Sequence, residues 1–370
     1  MTHRFLHSSD LHLGKAFGGF PETIRNRLRE ARHGAIARLA AAARGGGTDL
    51  VLLAGDTFDA ETPAPETLRQ ALHAMADAAD VTWVLIPGNH DSLAATEVWR
   101  RIAQDNPPNL RALTDAQPHE IRPGLWLLPA PCTQRRPGRD LTGAMSSPTP
   151  EGARRIGLGH GAVTDFSGEE GTPGIIPPDR ARLSGLDYLA LGDWHGCLQI
   201  GPATWYSGTP EGDSFKREGR ASALLVELGA VPQVTPVPTG QFDWLRPELD
   251  LLPGDDAAAR LTATFPGAGR RDTLLKLVAR GRLPLSELAA LRGAMDGAAP
   301  DFGWFDHDLT ALASETLSAD LDQIDQGGAL RQAAETLLAQ STDPTLTIAA
   351  RGVSAAALAR LYALAQEVQP

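Results

Sequence analysis

Short apolar runs alternate with stretches of helical periodicity through the first two hundred residues, and each apolar run ends in a polar cluster. The first run, at 4–10, is followed by apolar residues at helical spacing until the glycines that begin at Gly45. A second helix follows Pro63 and Pro65 and leads into a strand at 81–87. Further strands are predicted at 125–128, 154–158, 187–191, 203–207 and 222–228. This alternation is typical of an α/β domain.

Proline-rich and glycine-rich segments predict the loops and the domain boundary. Two such segments, 129–150 and 164–179, are predicted to be surface loops. A third, VPQVTPVPTGQ at 231–241, carries three prolines and a glycine, and the apolar pattern changes after it. We therefore predict a first domain over 1–240 and a smaller second domain over 241–370.

The second domain combines a strand with helices. Its apolar run at 273–283 predicts a strand, and two helices are predicted near 327–340 and 354–368. Ser354 is the predicted cap of the last helix, in which Leu358 and neighbouring apolar residues form one face.

Composition narrows the class of protein. The 370 residues include 34 Lys and Arg against 45 Asp and Glu, a net charge of −11, and 42% are hydrophobic, which excludes disordered and fibrous chains. The negative total disfavours binding to nucleic acid through bulk charge, although a local basic face or bound cations could still attract a phosphate. Because no apolar run reaches 18 residues, and Cys132 and Cys197 form no disulfide framework, we predict a cytoplasmic protein with no membrane association.

Five polar clusters carry the candidate chemistry, each directly after an apolar run. They are Asp10-Leu-His12, Gly55-Asp56, Gly88-Asn89-His90-Asp91, Gly159-His160 and Gly192-Asp193-Trp194-His195. The carboxyl ends of parallel strands meet at one edge of an α/β sheet, so these clusters are expected to converge. Asp, His and Asn side chains suit a metal site of mixed nitrogen and oxygen donors, in which one carboxylate could bridge two ions.

The clusters resemble the calcineurin-like metallophosphoesterase superfamily. Within that superfamily, the segments LHSSDLHLGK, VLLAGDTFD, IPGNHD, LGHGAV, YLALGDWHG and WYSGTPEGDSF resemble the SbcD-type DNA-repair exonucleases. The resemblance covers residues 4–230 and implies a four-layer α/β/β/α sandwich, followed by a small α/β capping domain and C-terminal helices.

The resemblance also implies two metal sites. The first ion would be held by Asp10, His12, Asp56 and His195. The second would be held by Asp56, Asn89, His160 and Asp193, so that Asp56 bridges the pair. Asp193 departs from the family pattern, which has histidine there; a carboxylate favours hard divalent ions, so Mn²⁺ is predicted, with Mg²⁺ or Fe²⁺ as alternatives.

Two such ions could generate a bridging hydroxide and orient it for in-line attack on a phosphodiester. His90 is the predicted catalytic side chain, donating to the phosphate or to the leaving oxygen, and Asp91 is predicted to orient its ring.

The leading interpretation is a DNA-repair nuclease that binds DNA. By resemblance it would act as a homodimer with an SbcC-type ATPase, and its second domain would cap the active site. Two alternatives stay open: a phosphodiesterase or phosphatase for a small phosphoester, and a weakly catalytic subunit that binds DNA ends.

Two basic stretches could contact phosphates or could be solvated faces. Arg135, Arg136 and Arg139 lie in the first loop, and the second stretch is around the second-domain strand. Its members are Arg270, Arg271, Lys276, Arg280 and Arg282. Trp194 could stack on a base or form a wall of the pocket.

Overall fold

The computed structural model describes residues 3–164, 174–315 and 318–368. The chain divides into two compact units, Met1–Asp243 and Trp244–Pro370. The division lies three residues beyond the boundary expected after residue 240. Of the loop predicted at 164–179, residues 165–173 lie outside the described part of the chain.

The first unit alternates strands and helices as the apolar pattern predicts. Its strands within the described residues are β1 (His3–Ser8), β2 (Leu50–Leu53), β3 (Thr82–Leu85), β4 (Leu110–Ala112), β5 (His119–Arg122), β6 (Leu125–Ala130), β7 (Arg154–His160), β8 (Tyr188–Gly192), β9 (Leu198–Gly201), β10 (Thr204–Tyr206), β11 (Gly219–Leu228) and β12 (Gln233–Leu245). Its helices there are α1 (Glu22–Gly45), α2 (Pro65–Asp77), α3 (Thr96–Gln104) and the single turn α4 (Arg180–Leu183). The short elements β4, β5 and β9 and helix α3 were not predicted from the sequence, because each is too short to show a clear period.

Two mixed sheets form the centre of this unit. In the first, β1 to β4 run parallel, and β11 pairs antiparallel with β1. In the second, β6, β7, β8 and β10 run parallel, with β5 and β9 antiparallel at its two edges.

The two sheets pack face to face and are covered on their outer faces. Alternate residues of β2 show this, because Leu52 joins the core between the sheets while Val51 faces helices α1 and α2. The outer face of the second sheet is covered more thinly, by a 3₁₀ turn at Thr142–Ser146 and by α4. The unit is therefore the α/β/β/α sandwich that the resemblance implies.

The proline-rich segment 231–241, where the domain boundary is predicted, lies largely within strand β12. Residues Gln233–Leu245 form a continuous strand. Pro236 and Pro238 are two positions apart, so both missing N–H groups lie on the same edge of the strand, and the other edge keeps its donors. A strand can therefore contain prolines at the density that is usual in linkers.

The second unit is a small α/β assembly. Its strands are β13 (Glu248–Leu251), β14 (Thr273–Pro284) and β15 (Trp304–Glu315), and its helices within the described residues are α5 (Ala257–Ala263), α6 (Leu285–Ala298), α7 (Ser318–Ile324), α8 (Ala329–Thr342) and α9 (Ile348–Val368). Strand β14 lies between β13 and β15 and runs parallel to both. Leu277 of β14, Leu291 of α6 and Tyr362 of α9 share one apolar core.

Helix α9 begins six residues before the predicted cap Ser354. Thr347 accepts the Ala350 N–H at the start of the helix, whereas Ser354 lies inside it and donates to the Gln340 side chain. Within the described residues, the stretch Ile348–Gln366 is long and apolar enough to span a membrane. One such helix is weak evidence for a span, because core helices pass the same test; 22% of this stretch is buried.

Candidate metal centre

The seven predicted ligands converge at the carboxyl edge of both sheets of the first unit. Asp10 and His12 follow β1, Asp56 follows β2, and Asn89 follows β3. His160 ends β7, and Asp193 and His195 follow β8. Each side chain has an atom within 3.9 Å of another member. Residues up to 185 positions apart thus meet at one point, because parallel strands end on one edge.

Backbone strain is concentrated at the same residues. Among the described residues, five other than glycine have positive φ, and four of them are the predicted ligands Asp10, His12, Asp56 and Asp193, with φ of 55°, 43°, 53° and 100°. Positive φ costs free energy for any residue with a Cβ, and such strain is typically retained at functional sites. The loop conformations therefore serve to aim these side chains.

Gly88 shows why the motif needs a residue without a side chain. A Cβ at this position would lie 2.1 Å from Asp56 Oδ1 and 2.3 Å from the Asp56 nitrogen. The glycine lets the loop after β3 close onto Asp56, where the His90 N–H donates to Asp56 Oδ1 at 2.8 Å.

Asp10, His12 and His195 form the first half of the centre. His12 Nε2 and His195 Nε2 are 3.1 Å apart. Asp213 Oδ2 lies 3.2 Å from His195 Nδ1 and accepts its N–H, and Asp59 Oδ1 lies 3.2 Å from His12 Nδ1. In this tautomer the Nε2 of His195 presents a lone pair to the centre.

Asn89, His160 and Asp193 form the second half. His160 Nδ1 donates to the Ala54 carbonyl oxygen at 2.8 Å, which leaves Nε2 directed at oxygen atoms. These are Asn89 Oδ1 at 3.1 Å, Asp56 Oδ2 at 3.5 Å and Asp193 Oδ1 at 3.9 Å. A ring nitrogen that faces three acceptors holds either a proton or a cation.

Asp56 lies between the halves. Its Oδ2 atom is 3.6 Å from His12 Nε2 and 3.5 Å from His160 Nε2. The side chain is buried, and burial raises the pKa of its carboxyl well above the usual value. This near-equal spacing is the geometry that the bridging role requires.

Several negative groups are buried together here. Asp10, Asp56 and Asp193 are buried or nearly so. Although burial alone would lower the pKa of His160, Asp56, Asp10 and Asp193 raise it to about 9. Buried carboxylates at this density require positive charge nearby.

The donor set fits a pair of divalent cations. Two donors that each bind one ion at about 2.1 Å, at angles of 90–110°, are separated by about 3.0–3.4 Å. The distance between the Nε2 atoms of His12 and His195, 3.1 Å, lies in this range. The two histidine nitrogens would bind one ion with Asp10, and His160, Asn89 and Asp193 would bind the other, with Asp56 shared. Two such ions, when bound, lower the pKa of water and neutralise phosphate oxygens.

The structure corrects the predicted role of Asp91. Both carboxylate oxygens of this buried residue accept backbone N–H groups, Oδ1 from Gly88 at 2.7 Å and Oδ2 from Phe58 at 3.0 Å. The His90 ring donates from Nδ1 to the Asp59 carbonyl oxygen at 2.8 Å. Asp91 therefore holds two loops together, and the loop carbonyl orients the ring. His90 itself lines the metal pocket, as a catalytic donor must.

Four further residues of the pocket were not identified from the sequence. They line it beside the predicted ligands and are Lys15, Asp213, Ser214 and Lys216. Lys15 Nζ donates to Asp213 Oδ2 at 2.6 Å across 198 positions of sequence. Although burial opposes it, the hydrogen bond with His195 holds the pKa of Asp213 well below its usual value. The sequence did contain signs of these residues. Asp213 lies in the motif WYSGTPEGDSF, and Lys15 and Lys216 are two of only three lysines in the chain.

A buried arginine links the loops behind the first half. Arg32 of α1 is 1% exposed and donates to the carbonyl oxygens of Leu11 at 2.6 Å and Glu211 at 3.0 Å. One side chain thus ties the loop that carries Asp10 and His12 to the loop that carries Asp213.

Of the residues predicted to contact a base or a phosphate, some lie beside the metal pocket and others pair with acidic side chains in the second unit. The Arg217 guanidinium lies 3.9 Å from the centre of the Trp194 ring, beside the pocket. Arg135 and Arg139 line a cavity next to the second half. In the second unit, Arg270 pairs with Asp301 and Arg280 pairs with Glu248, as in a solvated face.

Part of the first unit matches a known protein family. Residues 3–163 match the family model of the calcineurin-like phosphoesterases. The uncharacterized metallophosphoesterase YhaO of Bacillus subtilis (strain 168) is 28% identical over 240 residues, which cover 60% of this chain and 57% of YhaO. The chain therefore matches little more than half the length of this relative.

Solved structures give weaker similarities. The TT1561 protein of Thermus thermophilus shares 12% identity and a TM-score of 0.42, over 64% of this chain and 99% of that one. The purple acid phosphatase PPD1 of yellow lupin (Lupinus luteus) shares 11% identity and a TM-score of 0.41, over 65% of this chain and 52% of its own. Similarities of this size carry no argument about function. Residues 3–163 are thus similar to the calcineurin-like phosphoesterases, and five of the seven converged donors lie in this part of the chain.

Proposed function

We propose that the chain is a metal-dependent phosphodiesterase that hydrolyses DNA. The observation that carries the hydrolytic part is the position of Asp56 between two groups of donors, with Oδ2 3.6 Å from His12 Nε2 and 3.5 Å from His160 Nε2. A pair of ions clamped in this way is the usual device for in-line displacement at phosphorus.

Positively charged side chains beside the centre support an anionic substrate. Two of the three lysines in the chain, Lys15 and Lys216, line the metal pocket, although the chain takes almost all its positive charge from arginine. An ammonium group contacts phosphate oxygens as a compact point charge. Lys15 is paired with Asp213 at 2.6 Å and four aspartates share the pocket, so bound cations would have to supply most of the attraction for a phosphate.

The choice of DNA rests on the motifs that resemble SbcD-type exonucleases, DLHLG at 10–14 and SGTPE at 207–211 above all. The structure adds a role to the second motif, because it precedes Asp213, whose carboxylate lies behind His195. The same resemblance is the basis for a Mn²⁺ pair, a homodimer, an SbcC-type ATPase partner, a capping second unit and a cytoplasmic location.

His90 is the proposed proton donor or phosphate contact. Its ring lines the pocket and lies 4.7 Å from the His12 ring, centre to centre, in an edge-on arrangement. The Asp59 carbonyl oxygen accepts the Nδ1 proton at 2.8 Å, which fixes the orientation of the ring in the pocket.

The test is hydrolysis of a labelled single-stranded oligonucleotide and of bis-p-nitrophenyl phosphate, each with Mn²⁺, Mg²⁺ or EDTA. Wild type is compared with His90→Ala and with His73→Ala, an exposed helix histidine that serves as the matched control. We expect metal-dependent cleavage of DNA, lost about 100-fold or more in His90→Ala and unchanged in His73→Ala.

Two results would contradict the proposal. Turnover of the small diester with intact DNA would identify a small-molecule phosphodiesterase. Tight DNA binding without hydrolysis in any metal would identify an end-binding subunit.

A further inference from the structure

Two cavities of different chemistry adjoin the metal pocket within the first unit. One, which we call the apolar cavity, shares Asn89 and Asp193 with the metal pocket. The other, which we call the polar groove, shares His195, Asp213 and Ser214 with it. The metal pocket therefore opens toward a different cavity on each of its two halves.

The apolar cavity combines metal donors with hydrocarbon walls. His160, Asn89 and Asp193 form its inner end. Its other walls include Cys132, Leu141, Ala162, Ile175 and Ile176, and Arg135 and Arg139 also line it. A ligand that fits must therefore present a negative or polar group to the metals and a largely apolar body to the walls.

Ile175 is the exposed member of the apolar walls, with 38% of its surface accessible. It lines the same cavity as Asn89, His160 and Asp193, so apolar surface and polar side chains meet in one concave site, as in small-molecule pockets.

The polar groove has the opposite character. Glycines and hydroxyl residues line it together with Arg217 and Arg220, and Asp213 and Glu218 add two carboxylates to the same lining. Hydroxyl residues and guanidinium groups can contact a sugar-phosphate chain and offer little to a base. The apolar cavity and the polar groove therefore differ in the same way as the base and the sugar-phosphate of a nucleotide.

Resting on the proposed function, we propose that the apolar cavity is the subsite for the base of the nucleotide whose phosphate lies at the Asn89, His160 and Asp193 half. A base has a flat apolar face, which the hydrocarbon walls cover, and polar edges, which Arg139 at the cavity can meet. The polar groove takes the next phosphate and sugar along the strand. The substrate class is thus a polynucleotide with an unstacked base at the scissile bond.

The experiment measures binding, so that it does not depend on turnover. Calorimetry with the Mn²⁺-loaded full chain compares thymidine 5′-monophosphate and thymidine 3′-monophosphate with deoxyribose 5-phosphate, which carries the same phosphate and no base. We expect at least one of the two thymidine nucleotides to bind about 10-fold tighter or more, because stacking and burial of a base add free energy.

Variants at exposed positions locate the effect without disturbing the core. Ile175→Asp and Arg139→Ala are expected to weaken thymidine monophosphate about 10-fold and to leave deoxyribose 5-phosphate unchanged. Leu183→Asp is the matched control, since Leu183 is an exposed apolar residue, 52% exposed, that does not line the cavity.

The outcomes separate this inference from the proposed function. Equal affinity for nucleotides and sugar phosphate, or equal weakening of both ligands in Ile175→Asp, would overturn the base subsite even in a chain that cleaves DNA. A strong base preference in a chain that leaves DNA intact would support the subsite and contradict the nuclease.

Discussion

The two halves of the metal centre are supported in different ways. In the first half, His195 is backed by the carboxylate of Asp213, and His12 lies against that of Asp59. In the second half, His160 is backed by a backbone carbonyl, that of Ala54, and the neutral Asn89 completes the donors. A carboxylate behind a histidine raises its basicity as a ligand, so the first half is the stronger nitrogen site.

The difference also determines how each half can be disrupted. Side-chain substitution removes the support of the first half. The support of the second half is main chain, so it is reached through the ligand Asp193 or through the glycines that let the loops close.

The largest expected effect comes from Gly88→Ala, which acts on both halves through Asp56. A Cβ 2.1 Å from Asp56 Oδ1 must displace the bridging carboxylate or the loop that carries Asn89 and His90. We expect hydrolysis to fall about 1000-fold and the free energy of unfolding to fall by about 2–4 kcal/mol. Steady-state kinetics and urea unfolding measure the two effects.

Gly143→Ala is the control for this variant, because a Cβ there meets nothing within 4 Å. Wild-type activity in Gly88→Ala would show that Asp56 does not bridge the halves in the way that the distances indicate.

Asp213→Asn tests the first half alone. Loss of the carboxylate behind His195 should weaken one Mn²⁺ ion about 10- to 100-fold and leave the other near its wild-type affinity. Titration of Mn²⁺ by calorimetry resolves the two ions. Asp59→Asn is the companion variant, with a smaller expected effect because the Asp59 side chain is 30% exposed. Equal weakening of both ions in Asp213→Asn would show that the halves do not act separately.

Asp193→Asn tests the second half. The carboxylate lies 3.9 Å from His160 Nε2, whereas the Nε2 atoms of His12 and His195 in the first half are 3.1 Å apart. We therefore expect a loss of about 10-fold in the affinity of one ion, and recovery of tight binding in Asp193→His, which restores the histidine of the family pattern. The same Mn²⁺ titration tests this prediction. Unchanged Mn²⁺ affinity in Asp193→Asn would show that Asp193 does not bind the metal.

A buried histidine outside the centre gives a prediction about stability alone. Burial lowers the pKa of His7 to about 3, and its Nδ1 lies 3.0 Å from the Tyr188 hydroxyl. His160 is equally buried but has carboxylate neighbours, and its pKa is raised to about 9. The comparison isolates the carboxylates as the cause of the opposite shift.

The sign for His7 follows from linkage. The pKa of His7 in the folded protein, about 3, is below the unfolded value of 6.5. The contribution of the neutral ring to the free energy of unfolding is therefore complete above pH 6.5 and is lost as the pH falls toward 3. Between pH 6 and 4, we expect the free energy of unfolding of wild type to fall more steeply than that of His7→Gln, by about 1.4 kcal/mol per pH unit. Urea unfolding across this range gives the two slopes, and parallel slopes would contradict the buried neutral state.

The division into elements was predictable wherever periodicity is strong. Helix α1 and the strands that precede the polar clusters were anticipated, because burial of one face imposes the period on the sequence. Strand β12 was not, since its prolines have the composition of a linker and only the pairing of its edge shows a strand. Helix α9 begins at Ile348, after Thr347, and the Ser354 hydroxyl instead contacts Gln340 of α8, a contact between helices that the sequence pattern does not show.

For the site, the sequence alone determined which residues can bind metal. Asp10, His12, Asp56, Asn89, His160, Asp193 and His195 each follow or end a strand. Parallel strands end on one edge, so convergence follows from sequence order and element type, which are local properties.

Only the tertiary structure decided what stands behind each ligand. Asp213 reaches His195 and Lys15 across long separations, Arg32 ties two loops from a distant helix, and Asp91 turns away from His90 to cap backbone groups. These contacts depend on the directions of side chains after the two sheets have packed. Direction in space is a property of the packed molecule, because no period or spacing in the chain encodes it.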